Sequence, residues 1–248
     1  MSPPDILPED NYQKPLQSLP LDFDYEKPIE TRFFFNHFSG RMFKFNELKG
    51  NPGCEYSGCI EVFYCHYNEW AENAVIAVAE DCDDPYEGAS RALEAGLDYE
   101  YERLIGRYTF KDFTFQDQEE IKSGKQIRGA YIDEDFQQYK IATLIYKYIA
   151  NKYTFLISDN NQTHQGHKLW VLSVLKWGKV KAYDCIEKKF ISAFDPNEVS
   201  EDFKPWSVPY NFPADNEKYL IMDFCVRTDI PLTNVVLIAH GSLLDEIT

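Results

Sequence analysis

The chain lacks any apolar run approaching the roughly 20 residues that a membrane-spanning helix needs, so no such span is expected. Its first 17 residues carry no basic patch followed by an apolar stretch, and they do not read as a secretory signal. A soluble, cytoplasmic protein is the expectation. The six cysteines never fall in a C-x-x-C spacing, so neither a disulfide framework nor a zinc site is signalled. Cys54, Cys59, Cys65 and His66 lie near one another in sequence, yet structural thiols are the expected reading. Basic residues are scarce: 25 Lys and Arg stand against 41 Asp and Glu, a net charge of −16. Phosphate backbones are held by basic surfaces, so direct nucleic-acid binding is not expected. An acidic surface instead suits solubility, cationic substrates, or proteins that themselves bind nucleic acid. G-x-S-x-G, P-loop and spaced Cys/His nucleophile patterns are missing, as are repeats and low-complexity tracts.

Aromatic side chains are plentiful at 16% of residues, enough for a sizeable core without staples. Residues 1–30 are proline-rich and read as an extended arm. The alternation over 31–45 predicts a hairpin turning at Ser39-Gly40. Strands are expected over 58–66 and over 74–79 (AVIAVA), with Tyr67-Asn68-Glu69 turning between them. Residues 80–102 are polar, with a helix around 86–95. Strands follow over 103–115 and, after a turn at Lys122-Ser123-Gly124, over 126–132. Apolar residues at Ile141, Leu144, Ile145, Tyr148 and Ile149 fit a helix over 137–150. A short strand over 154–157 precedes Ser158, Asp159, Asn160 and Asn161, which supply capping side chains for a helix over 163–175. Gly178 stops that helix, and strands are expected over 180–183 and 190–193. An aromatic, proline-rich strap (205–213) and strands over 219–226 and 235–240 complete the chain. Strands first, then strand–helix–strand–helix–strand, predict an α+β fold with a mixed sheet.

The stretch Gln137-Gln138-Tyr139-Lys140-Ile141-Ala142, followed by Thr143-Leu144-Ile145-Tyr146, resembles the Gln/Arg-x-x-Gly-x-Gly/Ala loop and following helix of GNAT-type N-acetyltransferases. Gln137 and Ala142 fit that pattern, whereas Lys140 stands where the family has its central glycine. Ser158, Asp159, Gln162, Thr163, Gly166, Leu169 and Trp170 are similar to the SD-x-x-QT-x-x-G-x-x-LW phrase of divergent GNAT-like proteins, many encoded by tailed phages and plasmids. Trp170 replaces a tyrosine that serves other members as general acid, and an indole cannot take that role. The resemblance covers about 126–194.

The resemblance implies a GNAT-like, mostly antiparallel mixed sheet flanked by helices over 31–195. The arm (1–30) precedes it, and a C-terminal extension (196–248) packs on the same domain. It implies acyl transfer from acetyl-CoA to an amine acceptor. Ile132, Gln137, Gln138, Tyr139, Lys140, Ile141, Ala142, Thr143 and Thr163 would contact the cofactor, whose diphosphate suits a helix N-terminus. Residues 80–102 hold nine acids and one base, Arg91. Carboxylates there, Glu100 and Glu102, are the candidate catalytic bases. His37, His66 and His240 read as core or edge residues in strands, and His164 and His167 as surface residues. The alternative is a catalytically degenerate acidic protein on the same scaffold that binds and inhibits a host nucleic-acid-binding or defence protein.

Overall fold

The computed structural model describes residues 5–7, 16, 23, 27–159, 161–194, 206–207, 226–227 and 235–241. Most of the expected arm, most of the strap and most of the 219–226 strand lie outside them. The architecture is α+β. A nine-stranded mixed sheet runs in the order β10-β9-β13-β7-β6-β5-β4-β3-β2, and four short strands form a second sheet, β12-β11-β1-β8. The chain divides into two compact units, one built from 16–110 and 129–141, the other from 1–15, 111–128 and 142–248.

In the unit of 16–110 and 129–141, β2 (Glu30–Asn36) and β3 (Arg41–Lys49) form the expected hairpin, with Gly40 at φ +66° in its turn. β4 (Gly58–His66) pairs antiparallel with β3 and with the start of β5 (Tyr101–Asp117). Phe34, Phe43, Phe45, Ile60, Val62, Tyr108 and Phe110 fill its core. Glu61 and Arg107 face each other across β4 and β5 as a buried pair, with Arg107 Nε 2.9 Å from Glu61 Oε1. Arg107 Nη1 also donates to the Leu16 carbonyl at 2.9 Å.

The strand expected over 74–79 is instead part of helix α1 (Glu69–Ala79). Asn68 starts it, its side chain accepting the Ala71 amide at 3.0 Å. Ala71, Val75 and Ala79 then fall four apart and pack against Phe35, Met42 and Cys65, so a helical stripe buries what strand alternation would have split between two faces. Helix α2 (Pro85–Glu94) follows, capped by Asp84, close to the expected helix.

The second unit holds the end of β5, the start of β6 (Glu120–Ile132), helix α3 (Ile141–Tyr153) from Ala142 onward, β7 (Phe155–Ile157), β9 (Lys179–Asp184), β10 (Lys189–Phe194) and β13 (Val235–His240). β6 and β7 are parallel, paired at Lys125↔Leu156 and Gln126↔Ile157, whereas β13 lies antiparallel between β7 and β9. Phe115, Ile157, Tyr183, Val236 and Ile238 form a core cluster. β8 (Asn161–Thr163) pairs parallel with β1 (Asp5–Leu7), β11 (Trp206–Ser207) pairs with β1, and β12 (Val226–Arg227) with β11.

No turn forms at Lys122-Ser123-Gly124; the chain reverses at Gln118, φ +59°. Gly124 instead lets β7 come close, because a Cβ there would sit 2.5 Å from the Phe155 Cβ and carbonyl oxygen. Gly124→Val is therefore expected to cost about 1–3 kcal/mol, read as a lower urea midpoint. An unchanged midpoint would show that Phe155 yields freely.

The helix expected over 163–175 is α4 (His164–Leu169), which passes through a π-helical turn at Trp170–Val174 into α5 (Leu175–Trp177) and ends at Gly178. Trp170 is 1% exposed and meets Tyr146 edge-on, with ring centroids 6.4 Å apart.

Burial raises several acids of the 16–110 segment. The thiols of Cys59 and Cys65 are pushed up from 9.0 to about 12, and the Tyr86 hydroxyl to about 12, in each case chiefly by desolvation. Buried Tyr67 and Tyr108 shift the same way, with desolvation again foremost. A folded pKa above the unfolded one means that the native state holds its proton more tightly. The stability this contributes is full below pH 9 and is lost as pH climbs from 9 to 12. The melting temperature is expected to fall steadily through that window. A flat profile up to pH 12 would contradict the assignment.

Candidate active site

The helix expected from Gln137 starts at Ile141 instead. Residues Glu134–Tyr139 form a tight 3-10 turn, and Lys140 follows with φ +56° and ψ +23°, a left-handed geometry that an α-helix cannot contain. Asp133 opens the turn, its backbone carbonyl accepting the Phe136 amide at 2.8 Å. Phe136 is buried and pulls the turn onto the sheet, its ring 6.1 Å from Phe43 and 5.5 Å from Tyr64. The Tyr139 carbonyl accepts from Asn36 Nδ2 at 2.7 Å, and its hydroxyl from Arg41 Nη1 at 3.1 Å. Gln137, Gln138 and Lys140 remain exposed, and the Lys140 ammonium lies 5.2 Å over the Phe38 ring. The Gln137 amide also reaches the Ile132 carbonyl, at 3.4 Å. Lys140 therefore takes a backbone shape that glycine adopts freely.

Beside this turn runs one face of the sheet. Alternation puts Arg41 and Phe43 of β3, Tyr64 and His66 of β4, and Tyr101 and Arg103 of β5 on a common side. The Arg41 guanidinium lies 5.4 Å over both the Tyr64 and Tyr139 rings, and Arg103 lies 5.4 Å over Phe136. Arg103 is also ion-paired to Asp133. The imidazole of His66 stacks on Tyr101 with centroids 4.4 Å apart and planes 14° off parallel, while Tyr64 meets it edge-on. Burial raises the Tyr64 hydroxyl's pKa, with Arg41 acting in the opposite sense.

The two candidate bases occupy different surroundings. Glu102 faces the other way, opposite Cys65, where the Lys44 ammonium pairs with it and the Tyr99 hydroxyl donates to it at 3.2 Å. Glu100 sits at the entry to β5, and its backbone amide donates to the His66 carbonyl at 2.8 Å. Its carboxylate accepts from Asn68 Nδ2 at 3.2 Å and approaches His66 Nδ1 at 3.9 Å. Asn68 thus caps α1 with its oxygen and holds Glu100 with its nitrogen. His66, read from sequence as a core or edge residue, is brought into this constellation across 34 residues that include α1 and α2.

The remaining expected residues are placed as follows. Ile132 is half-buried beside Gly106, where a Cβ would meet its Cδ1 at 2.6 Å. A cavity of about 290 Å³ is lined by Leu104, Gly106, Arg107 and Tyr131. Ile141 is buried, and Ala142 is half-buried. In the second unit the Thr143 and Ser173 hydroxyls are 3.0 Å apart, tying the first turn of α3 to the π-helical turn. Thr163 belongs to β8, and its side chain, with those of Gln162, His164 and His167, lies outside the described residues. Ser158 and Asp159 are buried where β6 and β7 stop pairing. There the Ser158 hydroxyl accepts the Leu237 amide at 3.0 Å and Arg128 Nη1 lies 2.9 Å from Asp159. No group of three or more His, Cys, Asp or Glu that suits a metal ion occurs among the described residues, and no helix there is long and apolar enough to cross a membrane. No family model, curated protein or solved structure matches the chain.

Proposed function

We propose that the protein is a GNAT-like acyltransferase that moves an acetyl or related acyl group from CoA to an amine. The loop Gln137–Ala142 carries this reading, because Lys140, at the position of the family's central glycine, holds a left-handed shape that glycine adopts freely, while Gln137, Gln138 and Lys140 stay exposed beside Arg41. Lys140 and Arg41 are the two cations that would meet a diphosphate there, beside the carboxylates of Glu134 and Asp135.

Titration calorimetry with acetyl-CoA is expected to give micromolar binding. Lys140→Glu should weaken it at least about tenfold, or 1.4 kcal/mol. No heat at high micromolar concentration would remove the reading.

A second reading is a binding protein for a cationic partner, favoured by α1 and α2. Their exposed side carries Glu69, Glu80, Asp81, Asp83, Asp84, Glu87 and Glu94, with Trp70 75% exposed among them. The one base, Arg91, is already paired with Glu87. Under this reading a nucleic-acid-binding protein co-purifies with the chain and is released by high salt, and acetyl-CoA binding is absent.

A further inference from the structure

We infer that His66 is the general base that takes the proton from the amine acceptor, with Glu100 as its positioning residue; this rests on the acyltransferase reading. Three contacts fix the imidazole. Tyr101 stacks on one face, Tyr64 closes an edge, and the backbone bond from the Glu100 amide to the His66 carbonyl locks the two residues in register. His66 Nδ1 is buried and has no hydrogen-bond partner within normal distance, and the nearest carboxylate oxygen is Glu100 Oε2 at 3.9 Å. Asn68 holds the other oxygen of that carboxylate, so Glu100 reaches its contact with a fixed hand. Catalytic hydrogen bonds are often long without substrate and tighten when it binds.

Once drawn within bonding distance, that carboxylate selects the tautomer that carries a proton on Nδ1 and leaves the lone pair on Nε2. The acceptor nitrogen bonds to the thioester carbonyl carbon and yields its proton to His66 Nε2. The carbon–sulfur bond then breaks with its electron pair on sulfur, and the proton passes through solvent to that thiolate. Atoms and charge balance as amide plus free thiol. Glu102, already engaged by Lys44 and Tyr99 on the opposite side of the strand, takes no part. The aromatic wall of Tyr64 and Tyr101 beside a carboxylate also suits an amine that arrives as a cation, whose extra proton leaves to solvent before the neutral nitrogen attacks.

The test has two arms. Long-range proton–nitrogen correlation of the 15N-labelled chain saturated with acetyl-CoA, with the His66 signal assigned by its loss in His66→Gln, should show the Nδ1–H tautomer. Glu100→Ala, a change at an exposed residue, should return it to the Nε2–H form. Initial rates of thiol release from acetyl-CoA with putrescine, tyramine or lysine should fall about 100-fold in His66→Gln, with acetyl-CoA affinity held within twofold. An Nε2–H tautomer in the unmodified chain overturns the assignment. So does transfer at the original rate in His66→Gln, which leaves the acyltransferase reading standing. If the unmodified chain binds no acetyl-CoA, or transfers to none of the three amines, the base role falls together with that reading.

Discussion

Glu61→Ala is expected to cost about 3–5 kcal/mol, because it strands a guanidinium in the sheet interior. Glu61 and Arg107 are opposite neighbours on β4 and β5, both nearly out of solvent, and Arg107 spends a second donor on the Leu16 carbonyl. The Arg107 side chain is only 4% exposed, so little water reaches it to replace the lost carboxylate. The penalty is one of desolvation and not of a missing attraction. Glu61→Leu combined with Arg107→Met removes both charges and should recover most of the loss, since apolar pairs of similar volume often match or exceed buried ion pairs. Urea midpoints of the two singles and the double make the comparison. A double variant no better than the singles would show that packing, not charge, sets the cost.

Trp170→Ala is expected to lose about 3–5 kcal/mol, a fall in melting temperature of roughly 10 °C for a chain of this length. Trp170 begins the π-helical turn, and Val171, Val174 and Trp177 are buried with it. Trp170→Phe keeps most of the volume and should lose less than half as much. Equal losses for the two variants would mean that the indole nitrogen, not the ring's bulk, secures the turn. Function adds a separate point. A side chain so deeply enclosed and without a titrating proton gives no help to a departing thiolate, which is why solvent closes the proton path proposed for His66.

Some of this was legible before the structure. β4 and β13 occupy the residues expected for them, because β-branched and aromatic runs bounded by polar residues admit one interpretation. α1 was not legible as a helix, because AVIAVA offers alternation and a four-residue stripe equally, and the choice falls to Asn68, whose cap bond is invisible in composition. Gly124 looked like a turn residue, yet its smallness serves the approach of Phe155, a residue 31 positions away. The link from Asn36 to Tyr139 spans 103 residues. The pairing of His66 with Glu100 depends likewise on register, which no local pattern reports. Glu100 was singled out as a candidate base because acids cluster there. His66 was passed over because a lone histidine in a strand carries no signal until its neighbour across the sheet is known.

The backbone at Lys140 has one further consequence. A side chain there costs about 1–2 kcal/mol against the glycine alternative, so Lys140→Gly relaxes the scaffold while erasing a positive charge. Stability should rise and anion affinity should fall with the same single change. That opposition would reveal a position kept for what it grips at the expense of how comfortably the chain folds.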